Sequence, residues 1–192
     1  MLLIGIYAYS SDKDKSYVKE KKYIVYESCL RQLLGRCIGC GGATLDTSFY
    51  TLGSQLKIEF DCQTCTKRPK WYSQPNVPDS KIPFGNLELV SSIAFTGLNV
   101  AKTLRMFTLA GIQSISKTTY NKHREKIIDP AINESWVWQQ LSLFNEAKNT
   151  NRDLVIGGDG RADSPGHSAK YGSYTTMDLN MNKVIDIQLI QV

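Results

Sequence analysis

The chain has 192 residues, of which 42% are hydrophobic and 21% are charged, and its formal net charge at pH 7 is +5. This composition excludes wholesale disorder, and the length allows one large domain or two to three small ones. The positive charge favours an anionic partner only weakly, because many basic proteins bind no nucleic acid.

The N-terminal segment, residues 1–33, opens with an apolar run at residues 1–9. This run is too short to cross a bilayer and has no basic leader, so we expect a soluble, intracellular protein without a membrane partner. We interpret the run as a strand or as the result of an inaccurately assigned start of the gene. A helical pattern follows at residues 26–34, where Cys29 is predicted to be a small core residue.

Four of the five cysteines form two CxxC pairs separated by 21 residues: Cys37, Cys40, Cys62 and Cys65. Two residues between thiolates allow both sulfurs to bind one ion from a tight turn, and two such turns complete a tetrahedron around Zn²⁺. Residues 44–52 and 55–61 have strand patterns on either side of a Gly53-Ser54 turn, and residues 70–72 can add a third strand. The segment 34–74 is therefore predicted to be a zinc ribbon.

Two other interpretations of the cysteines remain open. Disulfides are disfavoured in an intracellular chain. A redox CxxC would not need a matched partner across a hairpin.

Gly41 and Gly42 follow the first pair, where a knuckle needs positive φ so that backbone amides can point at sulfur.

A proline-rich linker is predicted at residues 75–85, followed by helices. Asn86 is predicted to cap the first helix, which ends at Gly97. Asn99 is predicted to cap the second, which ends at Gly111.

Ser116 is predicted to cap a third helix over residues 117–128, which Pro130 ends. Together with the second helix it resembles a helix-turn-helix, in which the last helix enters the major groove of DNA. The candidate DNA-binding residues are Lys117, Thr118, Asn121, Lys122 and Arg124. A basic helix face is also typical of a solvated surface, and three-helix domains also serve as connectors.

A fourth helix is predicted over residues 131–148, packed through apolar residues that include its tryptophans. The final segment begins with a buried-strand run at residues 154–156, which delivers Asp159 to the strand end. A strand pair at residues 172–179 and 184–192 follows, with its turn at 180–183.

Acidic residues in this final segment are the candidate ligands for catalytic metals. Two-metal phosphoryl transfer needs converging carboxylates, and Asp159 is the first candidate. Asp163 is an auxiliary ligand or a turn former, whereas Asp178 and Asp186 are interpreted as ordinary strand or turn residues. Asp-Gly is also a common turn signal.

Several segments, in order, resemble transposases of the Kolobok-like kind and related DDE proteins. They include residues 22–30, Phe95-Thr-Gly97, residues 111–120 and Pro130-Ala-Ile132, and the most specific is residues 158–176, which begins Gly-Asp-Gly-Arg-Ala-Asp-Ser-Pro-Gly-His. Ala162 stands where the family usually has cysteine.

The resemblance implies that Asp159 is the first carboxylate of a DDE triad that binds Mg²⁺ or Mn²⁺ in a full-length relative. Residues 150–192 would form the first three strands of an RNase H-like domain. The second Asp and the Glu would lie further on, so we expect a truncated chain that is inactive alone. The implied partner is the double-stranded DNA of transposon ends, in the nucleus, with homo-oligomers possible in a full-length relative.

The sequence therefore predicts an α+β fold with a zinc ribbon, a helix-turn-helix-like helical domain at 86–149 and a partial RNase H-like antiparallel sheet. Three functions are compatible with it. The chain is the N-terminal fragment of a DDE transposase, a non-catalytic zinc-dependent DNA-binding protein derived from one, or a zinc-dependent scaffold for a protein partner.

Overall fold

The computed structural model describes residues 17–66, 68–149, 153–164 and 169–191. They form two compact units, one ending at Pro130 and the other beginning at Ala131. Each unit contains a three-stranded antiparallel sheet and helical structure, which confirms the α+β class. The predicted strand at residues 1–9 and part of the transposase-like segment, residues 165–168, lie outside the described residues.

The first sheet has the three strands predicted from the alternating pattern, β1 (Thr44–Leu52), β2 (Gln55–Cys62) and β3 (Lys70–Tyr72), in that spatial order. Gly53 has φ +65°, which permits the tight turn between β1 and β2. Ile58 and Phe60 are fully buried at alternate positions of β2 and form the centre of this region. The strand predictions are confirmed.

A 3-10 turn (Tyr17–Lys19) and the short helix α1 (Glu27–Arg31) precede the sheet. The Arg31 guanidinium lies 4.0 Å from the centre of the Phe49 ring, so α1 lies against one face of the sheet. The predicted core position of Cys29 is wrong, because its side chain is exposed. Five residues make too short a helix to bury a second face.

Three helices complete the first unit: α2 (Phe84–Thr96), α3 (Val100–Leu109) and α4 (Lys117–His123). The predicted ends at Gly97 and Gly111 are confirmed, since both glycines are left-handed, with φ +66° and +70°. The predicted caps at Asn99 and Ser116 are confirmed by side-chain oxygens that accept the backbone N–H groups of Lys102 and Thr119. The core of this region consists of Leu87, Val90, Ile93, Ile115, Tyr120 and Ile128.

The predicted cap at Asn86 is wrong, because α2 begins two residues earlier and Asn86 is buried within its first turn. Its side chain accepts hydrogen bonds from the backbone N–H and hydroxyl of Ser54, both at 2.8 Å, and donates to the Leu52 carbonyl at 3.1 Å. A tertiary partner, the β1–β2 turn, therefore takes the side chain that sequence reasoning assigned to a local cap.

Neighbouring amides extend this contact into a connected set, called the amide cluster: Ser54, Gln55, Gln74, Asn76 and Asn86. Gln74 accepts the N–H of Gly85 at the start of α2 and donates to the Ser54 hydroxyl. Gln55 donates to the Gln74 carbonyl and the Asn76 side chain, both at 3.0 Å. The predicted linker is thus hydrogen-bonded at both ends, to the sheet and to α2.

Pro130 does not end the third helix, contrary to the sequence prediction. The helix passes through a π-helical segment (Arg124–Ile128) and continues as α5 (Asp129–Asn149). Proline lacks an N–H and its ring clashes with the carbonyl four residues earlier. The wider π turn before Pro130 changes the hydrogen-bond pairing there, so the chain stays helical. Among the described residues, no helix is long and apolar enough to span a membrane.

The second unit combines α5 with β4 (Ile156–Ala162), β5 (Tyr171–Asp178) and β6 (Lys183–Gln191), paired in chain order. Leu143 and Ala147 of α5 and Ile185 of β6 are buried. Gln140 donates to the Ile185 carbonyl at 2.9 Å and to Asp186 Oδ1 at 3.1 Å, which fixes the helix to the sheet.

The first strand of this sheet differs from the prediction in its position. Leu154 and Val155 precede β4, and Asp159 lies in the middle of the strand opposite Thr175 instead of at its end. The residues of the predicted buried run, 154–156, are all exposed. The glycine-rich segment continues the strand through its pairing with β5, and Gly158 leaves room for Tyr174, because a Cβ there would lie 2.5 Å from the tyrosine hydroxyl.

We predict that Asn86→Ala lowers the free energy of unfolding of the first unit by about 2–3 kcal/mol, because it removes three hydrogen bonds made by a buried side chain. Urea denaturation of the zinc-loaded chain measures the change. The matched control is Asn99→Ala, which removes one exposed cap and should cost about 1 kcal/mol. Equal effects of the two substitutions would contradict the role given to the amide cluster.

Candidate metal centre and nucleic-acid interface

The two CxxC loops place four sulfurs at one point. Cys37, Cys40, Cys62 and Cys65 each offer Sγ, and these atoms all lie within 4.8 Å of one another. The Cys37 and Cys65 sulfurs are 3.8 Å apart, and those of Cys40 and Cys62 are 3.5 Å apart. The four cysteines could therefore hold a metal ion.

These distances fit a four-coordinate thiolate site better than the alternatives. Zn–S bonds of about 2.3 Å in a tetrahedron place the sulfurs about 3.8 Å apart. A disulfide needs about 2.05 Å, and all four residues are free cysteines in the structure. A redox pair uses two sulfurs, whereas here four converge.

Each loop supplies backbone donors to its first cysteine. The Gly39 N–H donates to Cys37 Sγ at 3.4 Å, and the N–H groups of Thr64 and Cys65 donate to Cys62 Sγ. Gly41 has the predicted positive φ, +73°, but its N–H donates to the Cys37 carbonyl. The sulfur-directed amides therefore lie two or three residues after each first cysteine, as a metal-binding turn requires.

The electrostatics of the cluster also favour a cation. Hydrogen bonds from the Thr64 and Cys65 backbone lower the pKa of the Cys62 thiol to about 6. The neighbouring Cys40 side chain, followed by burial, raises the pKa of Cys65 to about 12. The first thiolate forms readily, whereas a second one close by needs a divalent cation to offset their repulsion.

The five predicted DNA-binding residues are all exposed on α4 and the first residue of the π segment: Lys117, Thr118, Asn121, Lys122 and Arg124. Tyr120 and Ile128 on the opposite side are buried. The structure brings these five side chains to one solvent-facing surface, which is called the α4 surface. Their role in DNA binding stays a prediction.

Arg124 of this surface and the neighbouring His123 have shifted pKa values. Arg124 donates to Asp129 Oδ1 at 3.2 Å, and this hydrogen bond raises the pKa of the guanidinium. Partial burial, and then the charge of Lys122, lowers the pKa of His123. Arg124 is thus partly neutralised, so Lys117 and Lys122 carry most of the positive charge of the α4 surface.

Asp159 is exposed on β4, and its Oδ1 accepts the Gly160 N–H at 2.9 Å. A metal site needs three or more His, Cys, Asp or Glu side chains close together. Among the described residues the four cysteines form such a group, and Asp159 does not belong to it. The part of the chain described here does not gather carboxylates around Asp159, and its proposed Mg²⁺ role stays a prediction.

The remaining acidic candidates have local partners. Asp163 Oδ1 accepts the Lys170 N–H at 3.2 Å across the loop between β4 and β5. Asp178 is fully buried and accepts the Asn180 N–H at 2.9 Å in the β5–β6 turn. Hydrogen bonds from Gln188 and other groups lower the pKa of Asp186. These contacts fit turn and strand roles for all three.

Comparisons of this chain with protein-family models, with curated proteins and with solved structures found no match. The Kolobok-like resemblance therefore stays a prediction that rests on the quoted residues.

Sequence reasoning missed one surface, the face of the first sheet that carries Tyr50, Lys57 and Tyr72. These residues are direct partners across the three strands. The sequence contains a signal for two members of this row. The alternating pattern of β1 and β2 and the two-residue turn fix the register that places Tyr50 opposite Lys57. The third member depends on how β3 pairs after the cysteine loop, which the sequence leaves open.

We predict that the reduced, purified chain binds one Zn²⁺ and that Cys62→Ser loses it, because three thiolates cannot complete the site. Atomic-emission measurement of zinc per chain checks the stoichiometry. Chelation should unfold the region around residues 34–72, since a structural zinc contributes on the order of 10 kcal/mol.

The matched control for this prediction is Cys29→Ser, the same change at an exposed cysteine outside the cluster. This variant should keep one Zn²⁺ and its thermal stability. Freshly reduced protein that contains no zinc, or a Cys62→Ser variant that retains it, would contradict the metal centre.

Proposed function

We propose that this chain is a zinc-dependent DNA-binding protein of transposase lineage. Its four-cysteine ribbon stabilises the first unit, and the α4 surface docks on double-stranded DNA. The observation that carries the proposal is the division of α4 into a buried apolar side and an exposed side with lysine, threonine and asparagine at the helix start.

The position of α4 supports docking in the major groove. Its capped N-terminus follows α3 after a short connection, which begins with left-handed Gly111, as in helix-turn-helix proteins. The first residues of such a helix meet base edges, so Lys117 and Asn121 are assigned to base contacts. Lys122 lies one residue further along and is assigned to a phosphate.

Zinc is the metal that best fits the ribbon. Four thiolates are soft ligands, and tetrahedral sulfur sites select Zn²⁺ or iron–sulfur chemistry over Mg²⁺ and Ca²⁺. One knuckle on each side of a hairpin is the usual architecture of a structural zinc ribbon. We assign the ion a structural role because all four ligand positions are filled by protein.

The transposase lineage rests on the resemblance of residues 158–176 and gains support from the sheet order. Three antiparallel strands in chain order are what the resemblance implies for the opening of an RNase H-like domain. On this proposal Asp159 supplies the first carboxylate for Mg²⁺ or Mn²⁺ in a full-length relative. Transposon-end DNA as the target and the nucleus as location follow from the same resemblance.

We predict that Lys122→Ala weakens binding to every duplex tested and lowers the salt slope of the affinity by about one, because one phosphate contact is lost. Asn121→Ala should instead change which duplex is preferred, because it removes a base contact. Fluorescence anisotropy with a panel of labelled duplexes at several salt concentrations measures both effects.

The control for duplex binding is Lys148→Ala, which removes an exposed lysine from α5 in the other unit and should leave affinity unchanged. Arg124→Ala should have a smaller effect than Lys122→Ala because Asp129 already pairs with that guanidinium. Unchanged affinity in all three α4 variants would exclude the α4 surface as the DNA contact and favour a scaffold role for the zinc module.

We also predict that the chain does not nick DNA with Mg²⁺ or Mn²⁺, because two metals need several carboxylates and Asp159 lies outside any such group of the described residues. A supercoiled-plasmid assay measures nicking. Asp159→Ala should leave duplex affinity unchanged. Metal-dependent nicking that disappears in Asp159→Ala would show that the chain is itself a nuclease.

A further inference from the structure

The outer face of the first sheet, opposite the face that carries the buried Ile58 and Phe60, has a row of aromatic and basic side chains. Tyr50 on β1, Lys57 on β2 and Tyr72 on β3 are direct register partners, so they project from the same side of the sheet. The two tyrosines are 48% and 46% exposed. The Lys57 ammonium lies 5.0 Å from the centre of the Tyr50 ring.

A second row on this face supplies further charge. Glu59 and Lys70 are register partners, and Glu59 is paired with both Lys57, at 2.5 Å, and Lys70, at 3.6 Å. Two ammonium groups share one carboxylate, so the group keeps a net positive charge. The carboxylate also holds both lysines beside the tyrosines, which lowers the entropy cost of presenting them to an anion.

A cleft of about 310 Å³ lies beside Tyr72, along the free edge of β3. Its lining residues include a lysine, two aromatic residues and three members of the amide cluster: Gln55, Lys70, Trp71, Tyr72, Gln74, Pro75 and Asn76. Hydrogen bonds from Gln55 to Gln74 and Asn76 hold two of the amides in place.

The edge of β3 adds backbone groups to the cleft. The Pro69 carbonyl accepts the Phe60 N–H of β2, and the Ser73 N–H donates to the Leu56 carbonyl of β2. Because backbone groups alternate in direction along an antiparallel strand, the N–H and C=O groups of Lys70 and Tyr72 point away from β2. The cleft thus offers both donors and acceptors next to an exposed aromatic ring. This combination suits the edge of a flat heterocycle.

We propose that this face, called the ribbon platform, binds single-stranded nucleic acid. One base stacks on Tyr72 and extends its edge into the cleft, a neighbouring base stacks on Tyr50, and Lys57 and Lys70 bind the intervening phosphates. Aromatic rings on neighbouring strands with interspersed basic residues are the chemistry that single-strand binding proteins use.

Unpaired bases fit the ribbon platform better than a duplex or an acidic peptide does. A duplex hides the flat faces of its bases in the stack, so the two exposed tyrosines would gain nothing from it. An acidic peptide would use the lysines but would leave both rings and the amide-lined cleft without partners. The platform therefore goes beyond the duplex binding proposed for α4.

The test titrates the zinc-loaded full chain into a labelled single-stranded oligonucleotide of mixed sequence and measures anisotropy. Tyr72→Ala should weaken binding at least about five-fold, and Tyr50→Ala should also weaken it, because each removes one stacked base. Tyr72→Phe should retain the affinity, since it keeps the ring. The matched control is Tyr23→Ala, at a tyrosine that is 79% exposed but off the sheet.

The two nucleic-acid surfaces are separated by a crossed comparison. Lys122→Ala should weaken duplex binding and leave single-strand binding intact, whereas Tyr72→Ala should do the reverse. Zinc content and thermal stability of each variant show that it is folded. Single-strand binding that is undetectable at low salt, or unchanged in Tyr72→Ala, overturns the ribbon platform without affecting the α4 proposal. Equal competition by polyglutamate would assign the face to acidic peptides.

Discussion

The convergence of four thiols at one point is the constraint on which the first unit depends. The β1–β2 hairpin connects the two cysteine loops along the chain, and without a cation their thiolates would repel each other. A metal ion held by the four thiols would fix both loops and so fix the sheet at one end. At the other end, Asn86 and Gln74 attach the hairpin turn to the start of α2. Because α2 also packs against α4 and the π segment, a continuous set of contacts connects the cysteine cluster to the α4 surface.

Features with a local cause could be predicted from the sequence. The strands of the first sheet, the caps at Asn99 and Ser116 and the left-handed glycines each depend on a few neighbouring residues. Predictions failed where a distant partner decided the outcome. The β1–β2 turn takes the Asn86 side chain, and pairing with β5 keeps the glycine-rich stretch around Asp159 extended. The continuation of the helix past Pro130 has a local cause, the π segment just before it, which the residue pattern did not reveal.

The candidate sites also differ in how far the sequence predicts them. CxxC spacing is a local feature, so the sulfur cluster could be predicted from the four cysteine positions. The row of Tyr50, Lys57 and Tyr72 could not, because it exists only once β3 has paired with β2. The predicted position after the first strand likewise favoured Asp159, although a metal site for phosphoryl transfer depends on carboxylates from separate elements. Among the described residues those carboxylates do not meet at Asp159.

The described residues offer two candidate binding surfaces of different character. The α4 surface presents lysines and a short amide on a helix, a shape that fits a groove. The ribbon platform presents flat rings beside paired lysines on a sheet, a shape that fits exposed bases. The amide cluster lines the cleft of the platform and also holds the first turn of α2. Residues of the proposed single-strand site thus lie in the same hydrogen-bonded set that attaches the sheet to the helices of the proposed duplex site. A ligand that orders the cleft would also order the start of α2, which gives the two surfaces a physical route by which to influence each other.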